Sequence, residues 1–108
     1  MKYITFTIPC YNSENYMRRC VDSLLVGGED VEILIIDDGS SDRTGAIADE
    51  YEMLYPNIVK AVHKPNGGHG SGVNKGLELA HGLYYKVVDS DDWFDRDAYL
   101  KMLDKIKS

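Results

Sequence analysis

With only two cysteines, Cys10 and Cys20, in 108 residues, the chain lacks the disulfide framework that staples small secreted domains. Neither cysteine has metal-ligand company, so both are expected as buried free thiols, a reactive Cys10 being the less favoured alternative. Basic residues are also scarce: 12 Lys and Arg face 18 Asp and Glu, for a net charge of -6. That balance excludes non-specific binding to nucleic acid or to an anionic membrane surface. An anionic ligand would need local help from a metal ion, backbone amides or helix N-termini. No apolar run approaches membrane-spanning length, and Met1-Lys2-Tyr3-Ile4 opens directly into a strand pattern, so a cytoplasmic protein without a membrane span is expected. Internal repeats, linkers and low-complexity tracts are absent. So are the phosphate-binding glycine signatures: there is no GxxxxGKS/T, and no GxGxxG opens a helix after the first strand. A composition of 44% hydrophobic and 28% charged residues fits one ordinary globular domain over residues 1–108.

What is present is strand–helix alternation. Tyr3-Ile4-Thr5-Phe6-Thr7-Ile8 alternates and is rich in β-branched and aromatic residues, so it reads as a strand stopped by Pro9. Asn12 or Ser13 is placed to cap a helix from near Glu14, with Tyr16, Met17, Cys20, Val21, Leu24 and Leu25 on one face and Gly27-Gly28 at its end. Val31 to Ile36 is nearly all apolar, as a strand buried on both faces should be. Ser41 or Asp42 then caps a helix through Ile47, Tyr51 and Leu54, and Ile58 to His63 is a third strand. A glycine-rich loop from Pro65 leads into a helix carrying Val73, Leu77 and Ala80. Tyr84 to Val88 is the fourth strand, and an amphipathic helix runs from about Asp95 with Tyr99, Leu100, Leu103 and Ile106 as its stripe. The alternation predicts an α/β fold, a Rossmann-like three-layer α/β/α arrangement with a mainly parallel sheet and right-handed crossovers.

In such sheets ligands bind beyond the carboxyl ends of the strands. The polar runs fall there: Pro9-Cys10-Tyr11-Asn12 after the first strand, Asp37-Asp38 after the second, Asp89-Ser90-Asp91-Asp92-Trp93 after the fourth. Three carboxylates within four positions repel one another unless a cation sits between them, and Mg²⁺ or Mn²⁺ takes such acids together with substrate phosphates. A solvated acidic turn capping the next helix is the plainer alternative; an EF-hand is not, because its Gly and closing Glu are missing. Asp37 and Asp38, the latter taken as an exposed strand-end acid, could accept from a nucleobase imino group and a ribose hydroxyl or simply serve the turn, and Tyr11 could stack on a base or pack at the strand end. For Asp42 a turn and cap role is preferred. His69 either faces a phosphate or is simply exposed, and Trp93 is expected to seat the acidic loop on the last helix.

Together, Ile8-Pro9-Cys10-Tyr11-Asn12, Asp37 to Thr44, the Asn66-to-Gly76 loop and Asp89-Ser90-Asp91-Asp92-Trp93 resemble the N-terminal half of family 2 glycosyltransferases of GT-A fold. The resemblance covers essentially the whole chain. It implies transfer of a sugar, with inversion, from a nucleotide-diphosphate donor, often UDP-linked, to a hydroxyl acceptor in cell-surface polysaccharide or glycoconjugate synthesis. Position by position, it implies that Pro9, Tyr11 and Asn12 line the nucleotide and that Asp38 binds the uracil edge. Asp89 and Asp91 would be the two acids of the DxD motif, with Asp89 shared between ribose and metal and Asp92 a further Mn²⁺ or Mg²⁺ ligand. An Arg that members often carry two residues past Ser71 is Val73 here. The family's acceptor pocket and catalytic base lie beyond residue 108, so no catalytic residue is assigned. A fragment of a longer protein is therefore expected, working at the cytoplasmic membrane face. Its fourth strand, stripped of neighbours, would be an edge open to self-association. The rival readings are a complete, non-catalytic nucleotide- or metal-binding module and, lower, a receiver-type signalling domain.

Overall fold

A computed structural model describes every residue, Met1–Ser108. Four strands, β1 (Ile4–Cys10), β2 (Val31–Asp38), β3 (Val59–Lys64) and β4 (Tyr84–Val87), alternate with four helices, α1 (Met17–Leu25), α2 (Thr44–Leu54), α3 (His69–Leu79) and α4 (Arg96–Lys107). All neighbours are parallel, in the order β3-β2-β1-β4. The chain steps from β1 to β2 to β3 in one direction and then crosses back to the far side of β1. Right-handed crossovers put the helices of the two forward steps on one face and the helix of the return step on the other. The packing agrees. On one face Phe6, Ile8, Ile33 and Ile35 meet Met17, Cys20, Val21 and Leu24 of α1, Ile47 and Ala48 of α2, and Tyr99 and Leu103 of α4. The opposite face holds α3 alone, against Thr7, Pro9 and Ile36. The layering is the expected α/β/α, with three helices on one side and one on the other.

All eight residues of β2 are buried, as its apolar run predicted, and this includes Glu32, Asp37 and Asp38. Glu32 survives there because Thr5 Oγ1, the His81 amide and the His81 ring all bond its carboxylate at 2.8–2.9 Å. Burial pushes that carboxyl up, but these bonds outweigh it and leave it below the usual range.

Four local expectations change. The first helix starts at Met17 rather than near Glu14, because Ser13 O accepts from both Tyr16 N and Met17 N in a preceding turn. Tyr16 is accordingly half-exposed while Met17, Cys20, Val21 and Leu24 are buried. In α3 the buried residues are Gly72 and Gly76, and Leu77 is 59% exposed. Two glycines one turn apart let the helix backbone lie directly on the sheet, where apolar side chains would hold it away. Trp93 sits on α1 instead of α4, with the Arg19 guanidinium 3.2 Å from its ring centre. Phe94 takes the expected seat, edge-on to Phe6 and Tyr99 at 5.5 Å.

Candidate functional site

Between β1 and β4 the direction of winding reverses, and the carboxyl ends of β1, β2 and β4 converge beside that switch point. The first of these ends is built by a turn that crosses to β2. Asn12, at φ 49, takes the Ser41 amide on its Oδ1 at 2.9 Å and donates its own amide to Ser40 Oγ at 3.0 Å. Asp42 accepts from the Thr44 and Glu14 amides at 2.9 and 3.2 Å, the turn role preferred for it; it does not cap α2, whose N-cap is Arg43 without a side-chain bond. Burial works against the Asp42 carboxylate, yet those bonds hold its pKa below the ordinary value. Asp37 points to the helix-rich face, accepting from Ser40 N and from His63 Nδ1 at 3.0 Å. His63 reaches Asp49 with its other nitrogen at 2.7 Å, and these two acids raise its pKa.

Asp38 faces the other way and is 5% exposed, which corrects the expectation of a solvent-facing strand-end acid. Its Oδ1 accepts from Lys64 Nζ at 2.6 Å and from Gly67 N at 2.9 Å, and its Oδ2 from Gly68 N at 2.9 Å. Burial opposes ionisation, but the lysine and the two amides prevail and depress the carboxyl's pKa. The glycine-rich loop therefore hangs from the end of β2. Gly39 (φ +71) is needed beneath it, since any Cβ there would come within 2.8 Å of the Asn66 amide.

The acidic loop after β4 is tied to α1 and the turn before it. Ser13 Oγ lies 3.0 Å from Ser90 Oγ, Cys20 Sγ 3.6 Å from Asp89 O, and Ser23 Oγ accepts from Phe94 N at 3.1 Å. So braced, Asp89, Asp91 and Asp92 are all exposed, with ligand oxygens within 4.8 Å of one another. Three hard oxygen donors at that spacing suit Mg²⁺ or Mn²⁺. Cys10 and Cys20 are buried and their thiols are pushed up to about 12, first by burial. That removes the reactive-cysteine alternative.

A cavity of about 220 Å³ opens at this edge, lined by Pro9, Cys10, Tyr11, Asp38, Asn66, Gly68 and His69. Three expected ligand residues, Pro9, Tyr11 and Asp38, thus meet in one wall, and Tyr11 is half-exposed towards it. Asn12 does not line it; its side chain serves the turn. Asp89 stands outside the cavity but is joined to it by His69, whose Nε2 is 3.6 Å from Asp89 Oδ1. His69 was weakly signalled as one histidine among glycines. Lys64 carried no signal at all, because a lysine ending a strand looks like any solvated charge.

Residues 5–108 match Glycosyl transferase family 2. Glycosyltransferase GlyA of Streptococcus pneumoniae is 38% identical over 95% of this chain and 15% of its own length. The S. aureus TarS structure in complex with UDP-GlcNAc superposes with a TM-score of 0.81 at 30% identity, over 99% of this chain and 31% of that one. A mannosyltransferase from Pyrobaculum calidifontis, solved with GDP-Man and Mn²⁺, shares the fold at 20% identity and a TM-score of 0.81, over 93% of this chain and 31% of that one. The chain spans 15–36% of the length of three curated relatives that it matches along nearly its whole extent. With all of its sheet but Ile4, and all of its strand-end motifs, inside the matched region, the chain belongs to glycosyl transferase family 2.

Proposed function

We propose that this chain is the donor- and metal-binding half of an inverting glycosyltransferase that moves a sugar from a UDP-linked donor to a hydroxyl acceptor. The products would be cell-surface polysaccharide or glycoconjugate, made at the cytoplasmic membrane face. One observation carries the reading. The cavity formed by Pro9, Tyr11 and Asp38 is joined through His69 to the Asp89, Asp91 and Asp92 cluster, so a nucleoside site and a cation site share one edge.

The residues divide the work by chemistry. Tyr11 offers an exposed ring for stacking on the base. Asp38 Oδ2 has a single protein donor, Gly68 N, which leaves a lone pair for a base N–H. Asp89, with Asp91 and Asp92, would hold Mn²⁺ or Mg²⁺, which when bound neutralises the charge that grows on the departing diphosphate. The acidic trio cannot serve a diphosphate without that cation, since like charges would face each other. Acceptor activation is assigned to a carboxylate base outside residues 1–108, and no residue here takes that role.

Calorimetry with UDP, with and without Mn²⁺, tests the reading. Weak binding that strengthens with the metal is expected, and equal binding in both conditions would sink the metal assignment. We also propose self-association through β4, which pairs only with β1 and whose other edge is flanked by exposed Leu83 and Tyr84. Light scattering should then show mass growing with concentration, whereas a monomer at the highest attainable concentration would dismiss it.

A further inference from the structure

We infer that Lys64 is a positioning residue for the donor's base: it fixes the Asp38 carboxylate in the cavity wall and, through it, the glycine loop that forms the opposite wall. The inference rests on the donor reading above and names a residue that touches no ligand in it.

The geometry is specific. Asp38 and Lys64 are direct cross-strand partners at the ends of β2 and β3. The Lys64 side chain is 14% exposed, unusual for a lysine, and its Nζ bonds both Asp38 Oδ1 at 2.6 Å and Pro65 O at 2.7 Å. It thus ties the strand-end acid to the first residue of the loop. Gly67 lies directly over this ammonium: a Cβ there would come within 3.0 Å of Nζ and 2.7 Å of Ser71 Oγ. The two loop amides then close on the same carboxylate.

Two consequences follow. With Oδ1 saturated by Lys64 and Gly67, the carboxylate cannot rotate, and the free lone pair of Oδ2 keeps one direction for a base N–H. The lysine also cancels a buried negative charge where a nucleoside diphosphate must arrive. In a chain of net charge -6 that local neutralisation lowers the cost of bringing in another anion. Without it Asp38 would be an unpaired acid at 5% exposure, which is expensive and would protonate or swing out.

Binding of UDP and CDP to the intact chain and to Lys64→Met tests this, because only uracil presents an N3–H to a carboxylate. The wild type should prefer UDP. Lys64→Met should bind UDP about 10–100-fold more weakly, the loss expected for a charge-assisted hydrogen-bond network, with the UDP-over-CDP preference falling towards one. Amide exchange at Gly67 and Gly68 should quicken in the free protein, and Lys64→Arg should recover most of the preference. Lys64→Gln, one atom shorter and without the charge but still polar, covers the event that the methionine variant does not fold; it cannot restore the 2.6 Å ion pair with Asp38 and should show the same loss of preference. A folded Lys64→Met or Lys64→Gln with unchanged UDP preference overturns the inference while the donor reading stands. Failure of the wild type to bind UDP at all overturns both.

Discussion

Gly76→Ala should lower the thermal midpoint by ~10–20 °C, taking ~2–3 kcal/mol of overpacking and the per-kcal shift of a domain this size. The added methyl would overlap Thr7 Oγ1, and would come within 2.5 Å of Thr7 Cγ2 and 2.8 Å of Thr7 Cβ. Neither side can yield. Thr7 is fully buried on β1, a central strand paired on both sides, and Gly76 sits mid-helix on α3. An ordinary helix would gain from Gly→Ala at an interior position, by roughly 0.5–1 kcal/mol, so here the sign is reversed by tertiary contact. The partner supplies the control. Thr7 Oγ1 is buried without a hydrogen-bond partner, so Thr7→Ala removes an unsatisfied hydroxyl and should cost little beyond its lost packing. It also clears the two closest atoms from the path of the new methyl. The double variant should therefore be more stable than Gly76→Ala alone, a favourable coupling between neighbours. Thermal melts of the four proteins in this cycle decide the matter, and a Gly76→Ala midpoint equal to the wild type would refute the packing account.

Asp91→Ala should abolish the metal dependence of UDP binding without loosening the fold. The side chain is exposed and makes no hydrogen bond or ion pair, so its removal disturbs nothing in the core. Loss of a negative charge from a crowded trio should leave the melting temperature unchanged or slightly raised. A cation, however, would be left to Asp89, Asp92 and the phosphates, one oxygen donor short, and the affinity ratio with and without Mn²⁺ should fall to about one. Metal-free UDP binding should persist, because the cavity of Pro9, Tyr11 and Asp38 is untouched. The same protein should show no sugar transfer in either form. Transfer needs an acceptor held at the anomeric carbon and a base for its proton, and general-base help alone is worth ~10²–10⁴ in rate. Retained Mn²⁺ enhancement in Asp91→Ala would remove Asp91 from the cation site, and measurable transfer would show that a base lies within residues 1–108.

Period and punctuation in the sequence determined the architecture. The apolar run of β2 meant burial on both faces, the β-branched alternation of β1 meant a strand, and 3.6-residue spacing placed Met17, Cys20, Val21 and Leu24 on one buried stripe. The acidic loop and the turn at Asp42 were legible for the same reason, since local chemistry fixes a turn or a cluster within a few residues. Non-local contact decided the rest. Whether Asp38 was exposed depended on Lys64 and two glycine amides 26 to 30 residues away, and no local pattern reports such a closure. The seat of Trp93 depended on where Arg19 of α1 came to lie. Above all, α3 presents glycines and not leucines to the sheet, because the return crossover lays it on the face where Thr7, Pro9 and Ile36 leave room only for backbone. Apolar periodicity cannot see an interface made of missing side chains; only the packed tertiary structure shows it.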